Sequence, residues 1–331
     1  MKELINELIG EAVLGYKTFS YKYLDEVKTL VFTYLIDGFT YEEFNEKLKD
    51  LNSDYGIKET ERKTKDYKEI KDKTLERAKK GERIGFEISE SEISKLKFKL
   101  DEKSGFKAKQ TYIKRIRNYY KNTLKTMEKD FIIKDKYIES KIDKFDKVEK
   151  VVPYYSRETG KIVAWHDIAD YNSMVYNTNL TSVAWNSTFE ACQILGEDRV
   201  YVEPHAYSCE FCQEFQGKWY SISDKPSIYP KLESILWYNR DDGTGIKHPN
   251  CKHILMTDMG QEETNDFTGP EWVEKYDASQ KLNALNLKQS RLETDREIYS
   301  KLGNQGKVDE INSKIERIKE DKIEQKKIMK Y

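Results

Sequence analysis

The sequence predicts an α+β protein that is mostly α: long amphipathic helices, a small β-containing domain stapled by thiol and imidazole side chains, and a C-terminal helical hairpin. Three observations predict this. Charged residues make up 35% of the 331 positions, close to the 37% that are hydrophobic, which suits long solvated helices beside a smaller compact domain. Apolar residues recur at steps of three and four over much of the first 150 positions and again after 270, the period of a helix face. Three of the four cysteines and three of the four histidines fall between positions 203 and 253, among short alternating β-segments.

The chain is expected to divide into an N-terminal helical segment (1–56), long charged helices (57–150), an α+β domain carrying the Cys/His cluster (151–262) and an antiparallel coiled-coil hairpin (263–331). At the N-terminus, Glu3, Glu7 and Glu11 interrupt the apolar residues, which does not fit a signal peptide. The longest apolar run, Leu30 to Ile36, is far short of a membrane span, and no membrane partner is expected. Leu24, Val27, Leu30, Val31, Tyr34 and Leu35 form a helical stripe ended by Asp37-Gly38, and Thr40-x-x-Glu43 is a capping box that opens the next helix.

Between Ile57 and Lys150 there is no proline, and Ile113, Ile116, Tyr120, Leu124, Met127 and Phe131 step along one face. This predicts one long helix or two nearly collinear ones, with a break at Gly81 to Gly85 and a slip near Ile132-Ile133; Phe86 to Leu100 fits either strand or helix. The basic cluster Lys107, Lys109, Lys114, Arg115 and Arg117, with Tyr112, Tyr119 and Tyr120, has the residue types of a nucleic-acid contact. Nearby acidic residues offset its charge, so a solvated helix face is the plainer expectation. With 58 basic and 59 acidic side chains, the whole chain has no basic excess for coating DNA.

Val151 to Trp165, turning at Arg157-Glu-Thr-Gly160, has the pattern of a β-hairpin, and His166 is expected at a helix start. Asp167 to Gly196 predicts one long, partly buried helix, with Cys192 as a small core residue. Val200 to Val202, Trp219 to Ile222 and Ile254 to Met256 predict short strands. Asp224 to Lys247 is expected as a loop tightened by Tyr229, Trp237 and Tyr238. After Gly269-Pro270, Leu282, Leu285, Leu292, Tyr299 and Leu302 line one helical arm, Gly303 to Gly306 the turn, and Val308, Ile311, Ile315 and Ile318 the other.

Thiolates and imidazoles are the ligands zinc prefers, and Cys209-x-x-Cys212 lets two thiolates reach one ion from a tight loop. His248-x-x-Cys251, held by a Pro249-Asn250 turn, brings a second pair, with His253 two residues on. The metal candidates are therefore Cys209, Cys212, Cys251 and a fourth from His248 or His253, with His205 in reserve. A closed site of this kind is structural: it holds loops and does no chemistry. The alternative is an enzyme, a metal-dependent nuclease or hydrolase using the same cluster with acids such as Glu203 and Asp258.

The order of Arg199-Val-Tyr-Val-Glu-Pro-His205, the Cys-x-x-Cys, Phe215-Gln-Gly-Lys-Trp-Tyr-Ser-Ile-Ser223 and His248-Pro-Asn-Cys-Lys-His253 resembles the tailed-phage minor capsid proteins. It is most similar to the group called phage minor capsid protein 2, related to the Mu F-like head proteins, with Trp219 in place of the usual Val and Lys252 in place of Arg. Tyr171-x-x-Met-Val-x-x-Thr178 and, further on, Gln280 and Leu292-Glu293 extend the likeness. The resemblance implies a non-enzymatic virion protein, made in the host cytoplasm and placed inside the head. Its implied partners are the portal and major capsid proteins, with packaged DNA as a further partner, and several copies per virion are implied. A cytoplasmic zinc-binding adaptor unrelated to phage fits the same composition.

Overall fold

A computed structural model of the chain describes residues 4–78, 90–129, 134–155, 159–206 and 208–330. The fold is mostly helical α+β, with small antiparallel sheets. It has two compact units, each assembled from three separate stretches. Met1–Tyr16, Glu61–Asp101 and Met174–Ser279 make the unit that holds the cysteines and three of the histidines. Lys17–Thr60, Glu102–Ser173 and Gln280–Tyr331 make a helical unit. The four stretches expected from the sequence, 1–56, 57–150, 151–262 and 263–331, each contribute pieces to both. The expected break at Gly81 to Gly85 and the slip near Ile132-Ile133 lie outside the described residues.

In the helical unit, helix α1 (Leu4–Asp37) ends where expected. Gly38 takes φ +81°, and the amides of Gly38 and Phe39 both donate to the Tyr34 carbonyl, at 3.1 and 3.0 Å. The capping box closes as its sequence predicts, with Thr40 N donating to Glu43 Oε2 at 2.8 Å and Glu43 N to Thr40 Oγ1 at 3.3 Å, and α2 (Tyr41–Ala78) follows. The expected long helix is three elements: α4 (Lys103–Lys129), α5 (Lys134–Ile142) and the short α6 (Asp146–Glu149), preceded by α3 (Glu90–Leu96) in the other unit. Leu24, Val31, Phe44, Tyr112, Ile116 and Phe145 meet in one core, where Phe44 and Tyr120 stack with centroids 3.8 Å apart. The stripes read from the sequence are thus core.

Strands β1 (Lys150–Tyr155) and β2 (Ile162–Asp167) form the expected antiparallel hairpin. His166 lies in β2 opposite Val152 and is exposed, so it is a strand residue and not the helix-start residue expected. The helix begins after Asp167, whose Oδ1 accepts the amide of Asp170 at 2.8 Å as an N-cap.

The C-terminal hairpin is α8 (Pro270–Lys301) and α9 (Gln305–Lys330). Its turn is shorter than expected, since Gly306 already lies within α9. The arms run antiparallel, as Arg296 Nη1 donates to Asn312 Oδ1 at 3.3 Å and Lys322 Nζ to Gln289 Oε1 at 2.7 Å. Its seam is not private to the two arms. Ile311 and Ile315 belong to the same core as α1, and Ser290 Oγ and Lys301 Nζ bond Asp25 and Thr33 of α1 at 2.8 and 2.9 Å.

This unit also buries charge. Lys28 reaches Asp295 at 2.6 Å and Asp146 at 3.4 Å, and Arg291 reaches Glu149 at 2.9 Å and Asp167 at 3.4 Å. Two cations thus hold four carboxylates, an arrangement costly to form and more costly to break on one side.

In the Cys/His unit, α7 (Ile168–Leu195) contributes all but its first turn and ends at Gly196, φ +65°. Strands β3 (Arg199–Val202), β4 (Trp219–Ser221) and β5 (Leu255–Met256) form a three-stranded sheet in the order β4-β3-β5, all antiparallel neighbours, matching the three short segments expected. Between β4 and β5 the loop is organised by two 3₁₀ turns and by buried Leu232, Ile235, Leu236 and Ile246. Of the aromatic residues expected to tighten it, Tyr229 packs on Trp219, whereas Tyr238 is exposed.

Candidate metal centre

Two turns build the site, each closed by a local hydrogen bond that the sequence encodes. Cys212 N donates to the Cys209 carbonyl at 3.0 Å, folding Cys-x-x-Cys so that both sulfurs face one way. In the second, Cys251 N donates to the His248 carbonyl at 2.9 Å, and Asn250 takes φ +67°. Proline at the second position and a left-handed asparagine at the third are the residues of a type II turn. The second turn lies just ahead of β5 and the first follows β3 by a few residues. Val202 pairs with Leu255, so adjacent strands carry the two loops to one end of the sheet.

All five predicted ligands come together there. Cys209 Sγ and Cys212 Sγ each lie 3.1 Å from His248 Nε2, Cys212 Sγ is 3.8 Å from Cys251 Sγ, and Cys251 Sγ is 3.7 Å from His253 Nδ1. The donors form two groups, Cys209/Cys212/His248 and Cys212/Cys251/His253, each of which could hold a metal ion, and Cys212 is common to both. Bonds of about 2.3 Å to a tetrahedral ion put two sulfurs about 3.8 Å apart and a sulfur and an imidazole nitrogen about 3.6 Å apart. The Cys212–Cys251 spacing matches that figure, and the His248 contacts are slightly closer. Cys212 thus links two three-donor groups of the soft ligands that zinc prefers.

Each imidazole turns one ring nitrogen to an oxygen and the other to the sulfurs, and in its neutral form the second is free to accept or to ligate. His248 Nδ1 donates to the Pro249 carbonyl at 2.8 Å, leaving the Nε2 lone pair on the thiol side. His253 donates from Nε2 to Gln216 Oε1 at 2.8 Å, leaving Nδ1 toward Cys251. His205, the reserve candidate, lies outside both groups, with its ring centroid 4.5 Å from that of His253. Burial, and then the neighbouring His253, hold its pKa well below the usual histidine value. The sulfur of Cys212, joined by His248, overcomes burial and brings Cys209 down to about 5. Burial opposes the thiolate of Cys251, but Cys212 and His253 outweigh it and hold it low as well. Cys212 itself is pushed up by burial and by its two sulfur neighbours. Burial disfavours the His248 cation, yet Cys209 and Cys251 carry its pKa up to about 9.

Several residues that hold this arrangement were not singled out in the sequence. One face of α7 carries Asn177, Thr181, Trp185 and Thr188. Asn177 Nδ2 and Thr181 Oγ1 donate to the Cys251 carbonyl at 3.2 and 3.3 Å, Trp185 Nε1 to that of His253 at 2.9 Å, and Thr188 Oγ1 to that of Leu255 at 3.0 Å. Four helix residues advance about 6 Å and two strand residues about 6.6 Å, so such a face keeps step with every second carbonyl of an extended segment. The signal was a polar residue every three or four positions, which is easily passed over beside an apolar stripe. Gln216 is likewise buried, donating to the Phe267 carbonyl at 3.0 Å while accepting from His253. Gly217 takes φ +71°, and a Cβ there would stand 2.2 Å from the Thr264 carbonyl oxygen, so the Gln-Gly-Lys segment admits no side chain at this point. Asp258, one of the acids considered for catalysis, is ion-paired with Arg199, and neither it nor Glu203 joins a ligating group. Cys192 is buried apart from the cluster, as expected of a core residue.

Compared with protein-family models, curated proteins and solved structures, the chain matches none. No helix among the described residues is long and apolar enough to cross a membrane.

Proposed function

We propose that the chain is a structural minor capsid protein of a tailed bacteriophage, seated near the portal inside the head and aiding assembly or genome delivery, with one structural zinc ion in the Cys/His unit. The observation that carries this reading is that the separate motif pieces shared with the minor capsid proteins meet in space. Cys-x-x-Cys, the Gln-Gly-Lys segment through Gln216, and His-Pro-Asn-Cys-Lys-His close on one another within hydrogen-bond and ligand distances. Motif residues that converge around one ion explain why those residue types occur in that order.

Zinc is the ion favoured by three sulfurs and an imidazole, and four protein donors leave no position for a reactive water. We assign Cys209, Cys212, His248 and Cys251 as the shell, because His248 Nε2 touches two of the sulfurs. His253 stands beside it, tied to Gln216. A nuclease or hydrolase is the less favoured reading, because the cluster is rich in thiols and its nearby acids serve elsewhere.

Elemental analysis of the purified chain is expected to give one zinc per chain. His248→Ala should abolish stoichiometric binding, and His253→Ala should weaken it by about 10–100-fold, as loss of a supporting hydrogen-bonded group does. Equal and complete loss in both variants would put His253 in the shell. Co-expression with cognate portal and major capsid proteins should place the chain in assembled heads. Metal-dependent DNA cleavage lost on His248→Ala would overturn the non-enzymatic reading, and absence from heads would overturn the capsid reading.

A further inference from the structure

A second surface, in the helical unit, is built for a different partner. From Lys103 to Met127 there are eight basic residues and no acidic one, in a chain whose net charge is −1. Over this span α4 supplies no acid of its own, so the offset comes from other elements, as from Glu59 at Lys109. Tyr112, Ile116 and Tyr120 point into the core, which turns Lys103, Lys107, Lys114, Lys121 and Lys125 outward. Successive members of these five lie four or seven residues apart, one face of the helix, over about 33 Å at 1.5 Å per residue. Lys109 is taken up by Glu59 at 3.4 Å and Lys121 lies over the Tyr41 ring, but the other four outward lysines have no carboxylate partner among the described residues.

Beside this face stands the β1–β2 hairpin. Arg115 joins the two, donating from Nη1 to the Lys150 carbonyl at 2.5 Å with its guanidinium 5.5 Å from the Trp165 ring centre. The hairpin exposes aromatic and apolar side chains that a solvated ribbon would not need: Tyr154 is 52% exposed, Tyr155 53%, Val163 59% and Trp165 44%. Lys150 and Lys161 flank them, also exposed.

We propose that the outward face of α4 and the β1–β2 hairpin together bind single-stranded nucleic acid, phosphates on the α4 lysines and unpaired bases on Tyr155 and Trp165, while Tyr154, on the other face of the ribbon, packs on His166. Charge complementarity selects a polyanion. Exposed rings next to a cationic track select one with flat faces to stack, at about 1–3 kcal/mol per base. An acidic protein segment would satisfy the lysines but leave the rings unused, and a duplex keeps its bases stacked on each other. The inference is independent of the metal centre and of the capsid reading, since neither supplies any of its residues.

The test is fluorescence anisotropy of the full-length chain with a labelled oligothymidine of about 20 nucleotides, titrated at several salt concentrations. The parent chain is expected to bind the single strand at least fivefold more tightly than the matching duplex, with polyglutamate failing to compete. Replacing Lys107, Lys114 and Lys121 together by Gln should weaken binding at least tenfold and make the slope of log affinity against log salt shallower by about 2, near 0.7 per lost phosphate contact. Tyr155→Ala with Trp165→Ala should also weaken it at least tenfold, whereas Trp165→Phe, which keeps a ring, stays within twofold of the parent. These side chains are exposed, and thermal melts of the variants should match the parent. No binding at low salt, aromatic variants that bind like the parent, or competition by duplex or polyglutamate equal to that of the single strand would each overturn the proposal.

Discussion

In the helical unit the buried side chains are overwhelmingly apolar and aromatic, Leu24, Val31, Phe44, Tyr120 and Ile311 among them, while the Cys/His unit also buries Asn177, Thr181, Thr188, Gln216 and His253. The first unit draws on helices of 26 to 38 residues that carry their own backbone hydrogen bonds and need only a shared apolar face. The second has strands of two to four residues and long irregular loops, whose carbonyls need partners from elsewhere. Helix α7 supplies those partners by side chain, and the Cys/His cluster ties the loop ends. What the difference teaches is that a loop-built core is specified by particular polar atoms, whereas a helical core is specified by volume and period.

The widest expected gap between the units comes from taking away the shared sulfur. Cys212→Ser should eliminate zinc binding, and with it apparent binding energy of the order of 10–16 kcal/mol, which rivals the whole stability of a domain. Hydrogen exchange should then show peptides of β3 and β5 losing protection while those of α4 and α9 keep theirs. If both units lose protection together, the contrast between them fails.

Phe44→Ala tests the other side. It removes a buried ring stacked on Tyr120, and a loss of about 3–5 kcal/mol in denaturant unfolding is expected, with zinc content unchanged. A cost below 1 kcal/mol would mean that this core is far less tightly specified than its burial implies.

The buried charges of the helical unit sharpen the comparison through pH. Burial raises the Glu149 carboxyl to about 8 despite the guanidinium of Arg291 at 2.9 Å. In the unfolded chain the same group releases its proton near 4.5, so between these values the folded state holds more protons. Its contribution to stability is therefore full below pH 4.5 and is lost as the pH rises toward 8, by at most about 1.4 kcal/mol per unit. Urea midpoints measured from pH 5 to 8 should fall for the parent chain, and Glu149→Gln should flatten that slope. A parent midpoint that rises over the same range would show Glu149 to be ionised throughout.

The smallest effect belongs to a purely local feature. Thr40→Ala removes the N-cap of α2, and a loss of about 1 kcal/mol is expected, read from thermal unfolding of the helical unit. No loss would mean that the cap adds nothing to a helix already held by its core.

Much of this was legible because the signals are short-range. The Gly38 stop, the Thr40–Glu43 box, the β1–β2 hairpin, the Pro249-Asn250 turn and the Cys-x-x-Cys turn each close within a few residues, so the residue types alone dictate them. The clustering of the five candidate ligands was legible for a related reason: soft donors are scarce in this chain and their spacing is that of turns.

The sequence by itself therefore determined the helical periods, the turns and the identity of the thiols and imidazoles that meet. Only the tertiary structure decided that compact units would be assembled from interleaved stretches, that α7 would serve the carbonyls of residues 251 to 255 from about 70 positions away, and that Arg115 of α4 would lie over Trp165 of the hairpin. The physical reason is range: a cap or a turn carries its partner within four residues, while a buried carbonyl, a paired charge or a stacked guanidinium has a partner that no local pattern names.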